Sequence, residues 1–238
     1  MAVSRERYGP LVHRSVHHGA TLWIVGVLQF LVAMIVTQFG WSNPSYSLSQ
    51  NYISDLGAVD CGEFARRNIC SPWHVVFNGS IILMGVLLIL GILLLPSAFP
   101  NRRSRALGLG LLALAGLGAI GVGTFPEDVN LTAHTISALL AFAGGGFALI
   151  VLGVAMFRDT RWDGYRAYSL LSGLVTLVAL ALFSSHSWQW GGLWADLGAG
   201  GIERLIVAPV LLWALLAGIH LLRIPAFAPR QIPKTTAT

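Results

Sequence analysis

Six stretches of this chain are apolar for about as long as a bilayer is thick, at roughly 19–39, 73–95, 107–124, 132–156, 167–185 and 201–222. A helix needs ~20 such residues to cross the hydrocarbon core. Lipid offers backbone N–H and C=O groups no partner, so a spanning segment must satisfy them internally, as a helix does. The stretches are apolar on all faces, which excludes amphipathic surface helices. The expected fold is all-α, a polytopic integral membrane protein built as a bundle of six transmembrane helices. The first run is not a cleaved signal peptide, because it exceeds the length of an h-region and "GWSNPS" lacks a small-x-small cleavage pattern.

Composition agrees. Only 11% of residues are charged and mean hydropathy is +0.71, against ~25% charged in soluble domains. The net charge of +5 is no sign of a nucleic-acid partner, since the basic residues form short clusters between apolar runs. Arg5, Arg7, Arg14, Arg102, Arg103, Arg105, Arg158, Arg161, Arg166, Arg223, Arg230 and Lys234 fall on one side of the membrane, and only Arg66, Arg67 and Arg204 on the other. The positive-inside rule therefore puts both termini in the cytoplasm. The expected organisation is a cytoplasmic tail over 1–18, a membrane domain over 19–223 with a first outer loop at about 40–72, and a disordered cytoplasmic tail over 224–238. The membrane is the plasma membrane of a bacterium, and the bilayer is the first partner. Nothing in the sequence demands an oligomer.

The outer loop "QNYISDLGAVDCGEFARRNICSPWHVVFNG" is polar and holds both cysteines, Cys61 and Cys70. Outside the cell a disulfide is the natural reading, because the close CxxC spacing of zinc sites is absent. "SDLGA" at 54–58 echoes "ADLGA" at 195–199.

Ionisable groups at a membrane are costly and are functional candidates by default. They collect on the outer side: Ser54 and Asp55 in the first loop, His74 and Asn78 at the start of the second span, Glu127 and Asp128 after the third, His134 and Ser137 at the start of the fourth, His186 after the fifth, and Asp196, Glu203 and Arg204 at the start of the sixth. His220 stands by itself at the cytoplasmic end. Two chemistries fit. His134 with Asp55 could ligate a metal, zinc being the candidate cofactor, with a position left for water. Ser54 with a histidine base and an aspartate could instead act as a nucleophile, and Glu127 is a further catalytic candidate. Neither HExxH nor GxSxG is present.

Structural readings stand beside these. Asp55 can cap a short helix ending at Gly57, and Glu203 can sit at the positive end of the sixth span. His134 can be a hydrogen-bonded structural histidine. Asn78 and Ser80 suit interhelical hydrogen bonds. Trp188, Trp190 and Trp194 suit an interfacial belt, and Pro209 suits a kink.

"NYISDLG", "SPWHVVFNGSIILMG", "GTFPEDVNLTAHTISALLAF" and "GGIERLIVAPVLLWALLAG" together resemble the prokaryotic membrane-protein family catalogued as domain of unknown function 998, over about residues 19 to 223. The "ISDLG" segment is also loosely similar to the first outer loop of the Frag1/DRAM/Sfk1 membrane proteins, which have six spans and are tied to lipid or anchor remodelling. The first resemblance implies a six-span bundle without an established activity. Its motif positions fall on Asn51, Ser54, Asp55, Gly57, Asn78, Phe125, Pro126, Glu127, His134, Glu203 and Arg204. The cysteine-containing first loop is longer than the family leads one to expect.

Two functions remain open, with a weaker third. The first is an outer polar cavity, including Asn51, His74, Asn78, Glu203 and Arg204, that binds a lipid headgroup or a partner. The second is an intramembrane metal-assisted hydrolase or transferase acting on an outer-leaflet lipid through Ser54, Asp55, Glu127 and His134. The third, a transporter, is disfavoured because carriers place polar groups at the midplane, which here is almost free of charge.

Overall fold

The computed structural model describes residues 3–42, 44–100, 102–157, 159–185 and 193–224. The side chains of the tryptophan belt, His186 and the tail from 225 lie outside the described residues. Six long helices form in chain order: α1 (Val3–Phe39), α2 (His74–Leu94), α3 (Arg102–Thr124), α4 (Leu131–Ala155), α5 (Tyr165–Ser184) and α6 (Leu193–Arg223). Each contains a segment long and apolar enough to cross a membrane, so the chain is a multi-pass membrane protein. α1 begins at Val3, well before the apolar run at 19, because its polar first turns continue the same helix. α6 starts earlier than its apolar core for a similar reason. Its one non-helical residue is Gly198 (φ 65, ψ 176), and Pro209 lies in the continuous helix beyond.

Each helix packs on the next and α6 returns to α1, closing a ring of six. Neighbours run antiparallel, and an even number of members lets the ring close that way. Small residues set the spacing. A Cβ on Gly118 of α3 would lie 2.4 Å from the Ala141 backbone nitrogen of α4, and one on Gly85 of α2 would lie 2.5 Å from the Gly116 carbonyl oxygen. Side chains also hydrogen-bond across helices. Trp23 Nε1 donates to the Leu88 carbonyl (3.1 Å), Gln29 Nε2 to Ser80 (2.8 Å), Ser169 Oγ to Leu149 (2.7 Å) and Thr176 Oγ1 to Ile206 (3.1 Å). Ser80 thus serves through its carbonyl; its hydroxyl turns back to Phe77 of its own helix.

The two ends of the ring differ. At the end where the chain begins, His220 is not isolated as its sequence position suggests. Its Nε2 meets the Arg161 carbonyl oxygen at 2.7 Å and its ring stacks on Tyr165. Trp162 stacks on Phe99 and closes that end with aromatic surface. The other end is covered by the loop between α1 and α2. A 3-10 turn (Ser54–Gly57) lies buried there. It is followed by a hairpin of β1 (Gly62–Phe64) and β2 (Arg67–Ile69), paired Gly62↔Ile69 and Phe64↔Arg67. Cys61 and Cys70 are joined by a disulfide at the base of this hairpin. Its two-residue turn, Ala65 and Arg66, is left-handed at both positions (φ 45 and 65), as tight hairpins require.

Candidate functional site

The hairpin delivers Arg67 to two buried carboxylates. Its Nη2 lies 2.8 Å from Asp55 Oδ1 and 3.1 Å from Glu127 Oε1, and its Nε donates to both Asp55 oxygens at 3.2 Å. The guanidinium also lies over the Tyr52 ring, 3.8 Å from its centroid. Asp55 further accepts from Asn51 Nδ2 (3.1 Å) and the Tyr52 N–H (2.9 Å). Asp55 therefore does not cap the 3-10 turn it sits in; the turn has no side-chain cap, and the carboxylate reaches backwards to Tyr52 instead. Ser54 Oγ donates to Glu127 Oε2 at 3.2 Å.

Two carboxyls sharing one arginine in a buried place cannot both ionise freely. Burial pushes Glu127 up, and the neighbouring Asp55 carboxylate adds to this, to about 9. Burial opposes ionisation of Asp55 too, but hydrogen bonds from Glu127, Arg67 and Asn51 outweigh it and hold Asp55 below the usual carboxylate range. At neutral pH the pair holds one proton and one negative charge, matched by Arg67.

α6 supplies the second half. Glu203 Oε2 accepts the Ile53 N–H in a short hydrogen bond. Arg204 reaches over the loop, donating through Nη1 to the carbonyls of Leu48 (2.9 Å), Asn51 (3.0 Å) and Gly200 (2.8 Å), and through Nη2 to Tyr46 Oη (2.5 Å). Burial keeps Tyr46 a phenol, and its hydroxyl donates to the Tyr52 carbonyl. These bonds satisfy loop carbonyls that would otherwise be orphaned at the membrane surface. Asn78 Nδ2 ties α2 to the same loop through the Gly57 carbonyl (2.9 Å). His74 is not brought in: its ring nitrogen Nδ1 pairs with the Ser71 carbonyl in its own turn.

Beneath this cover lies a cavity of about 100 Å³ inside the ring. Its walls come from α1, α2, α3, α4 and α6 and are almost wholly apolar, from Trp23 and Phe30 to Ala119 and Ala214. Between Glu203 and Ala214 α6 rises ~16 Å, so the cavity runs deep into the ring. Its polar lining is Ser54, His134 and Glu203, each more than nine-tenths buried. His134 Nδ1 is 2.8 Å from the Phe125 carbonyl oxygen. A carbonyl can only accept, so Nδ1 carries the proton and Nε2 a lone pair. Ser137, one turn on, bonds to the Ala133 carbonyl of its own helix.

Asp55 and His134 are thus engaged separately, the carboxylate by Arg67 and the imidazole by Phe125. Among the described residues no three His, Cys, Asp or Glu side chains gather where they could hold a metal ion. A zinc ion would have to displace Arg67 from Asp55, so the residues present do not fit it as they stand. Sequence reasoning overlooked Arg67 as a site residue, counting it only among the loop cations. The signal was there: the outer acids outnumber the outer cations, and the segment between the two cysteines carries Arg66 and Arg67. It also passed over the i,i+4 pair His13 and His17 of α1, whose rings lie 4.1 Å apart.

The model of the family described as "Protein of unknown function (DUF998)" matches residues 24–220. No curated protein and no solved structure matches the chain.

Proposed function

The chain belongs to that family, and we propose that it is a lipid-binding protein of the bacterial plasma membrane whose central cavity receives one end of a lipid beneath the hairpin loop. The carrying observation is an apolar cavity whose polar lining is three buried side chains, Ser54, His134 and Glu203. Such a space suits a molecule with an apolar body and one polar tip. The charges above it are already spent on one another and on loop carbonyls, which makes them a lid rather than a binding surface. The excess of Arg and Lys at the termini end supports an outer position for this lid.

The test is lipid content after purification in mild detergent, read by native mass spectrometry. Wild type should carry lipid, and Ala119→Leu, which fills the cavity wall, should lose most of it while keeping its melting temperature within a few degrees. Equal lipid in both would rule the cavity out as the binding place.

A second reading, an intramembrane hydrolase or transferase, is favoured by His134, which lines the same cavity as Ser54 and keeps a lone pair on Nε2. It requires turnover of a lipid ester that His134→Gln abolishes while lipid binding persists.

A further inference from the structure

The turn of α1 that carries His13 and His17 belongs to neither the lid nor the cavity wall. The two histidines are four residues apart, so they stand one above the other on a single helix face. Their rings lie 4.1 Å apart, centroid to centroid, and are tilted by 38°. Nε2 of His17 is buried and has no hydrogen-bond partner among the described residues. A buried ring nitrogen without a partner is costly. From this pairing we propose that His13 and His17 together bind one divalent transition-metal ion through imidazole nitrogens, at the end of the ring where the chain begins.

Two imidazoles four residues apart on a helix are the bidentate unit that helical zinc sites use. Bonds of ~2.1 Å from one ion to two rings at right angles put the ring centres about 4.5 Å apart, so the observed spacing needs only a small rotation. The ion satisfies His17 Nε2 whichever ring nitrogen carries the proton in the free protein, because it takes the lone pair there and the proton moves to Nδ1. The backbone beneath the pair is held in place. Ser15 Oγ donates to the Leu94 carbonyl of α2 at 3.0 Å, Val16 is fully buried, and a Cβ on Gly19 would lie 3.0 Å from the Gly91 carbonyl oxygen. The ligands thus sit on a packed turn rather than a fraying end, which lowers the ordering cost of chelation. No third His, Cys, Asp or Glu joins them among the described residues, so water fills the other coordination positions. The donor type sets the class of ion. Imidazole suits Ni²⁺, Cu²⁺ and Zn²⁺, whereas Mg²⁺ and Ca²⁺ take oxygen ligands. His17 precedes Trp23, where α1 begins to line the cavity, by ~9 Å along the helix. The site is therefore independent of the lipid reading.

The test is calorimetric titration with Ni²⁺ and with Zn²⁺ of the full chain, purified in detergent through a tag without histidine and stripped with a chelator. One ion per chain should bind and raise the melting temperature, and Mg²⁺ should do neither. His13→Gln and His17→Gln should each weaken binding about a hundredfold, because the second bond to the ion is no longer made within one molecule. His18 is exposed and lies ~100° round the helix from His17, so His18→Gln should bind as wild type does. Melts of the metal-free variants check the fold, and His13→Gln decides the matter if His17→Gln does not fold. No ion bound by wild type, or wild-type affinity in His13→Gln, would overturn the inference. So would an equal loss in His18→Gln.

Discussion

The chain spells Asp-Leu-Gly-Ala twice, at 55–58 and 196–199, and the two copies end in the same loop-covered end of the ring with opposite fates. In both, the glycine is a point of close approach. A Cβ on Gly57 would lie 2.3 Å from Asn78 Oδ1, and one on Gly198, which is left-handed, would lie 2.3 Å from the Ser49 carbonyl oxygen. In both the alanine is buried. The aspartates differ. Asp55 is fully buried and receives Arg67, Asn51 and the Tyr52 N–H. Asp196 is exposed in the first turn of α6, where a carboxylate favours the helix dipole and little else. A short sequence fixes where a chain can turn tightly. It does not fix whether an acid is buried, because that depends on a cation arriving from elsewhere.

Replacing Asp55 should widen the contrast most. Asp55→Ala leaves Arg67 without one of its two carboxylates and should cost about 3–5 kcal/mol, the usual penalty for breaking a buried pair. In practice the melting temperature in detergent should collapse or the yield vanish. A variant as stable as wild type would mean that Glu127 alone can hold Arg67.

The disulfide tests how Arg67 is delivered. Cys61→Ser opens the base of the hairpin and should cost about 2–3 kcal/mol from loop entropy alone. It should also loosen Arg67, so combining it with Asp55→Ala should cost less than the sum. A double-mutant cycle in thermal melts would show this coupling; strict additivity would separate the hairpin from the charge cluster.

Glu127 gives a pH signature. Its carboxyl is raised from about 4.5 in the open chain to about 9 in the fold. The folded state keeps a proton that the unfolded state has released, so stability is greatest below the open-chain value and declines as pH rises towards 9. Asp55 acts oppositely: its value is lowered by folding, so its contribution holds above the ordinary carboxylate range and is lost as pH falls through its folded value. Thermal melts from pH 5 to 9 should therefore fall in wild type and flatten in Glu127→Gln. The smallest effect belongs to the exposed Asp196: Asp196→Asn should stay within about 0.5 kcal/mol of wild type.

Much of the fold was legible because spans announce themselves. Lipid forces each apolar run to close its own hydrogen bonds, so length and composition identify a helix without reference to neighbours. The loop disulfide was legible from two cysteines in one polar segment. The candidate site was legible only in part. Asp55, Glu127, Glu203 and Arg204 stood out as ionisable groups near a membrane, and all four meet at the covered end. Their partners did not stand out. His74 resembled them by type and position but bonds to its own turn, and Arg67 looked like any loop cation until the hairpin aimed it.

The sequence by itself determined six crossings, their alternating course and the end of the molecule where polar groups would gather, because those follow from the cost of exposing peptide and charge to hydrocarbon. Only the tertiary structure decided which charge neutralises which, and that the interior beneath them is an apolar cavity with Ser54, His134 and Glu203 in its lining. Those properties depend on contacts between residues far apart in the chain, such as Arg67 with Glu127 and Ile53 with Glu203, and no local pattern encodes the direction in which a side chain will find its partner.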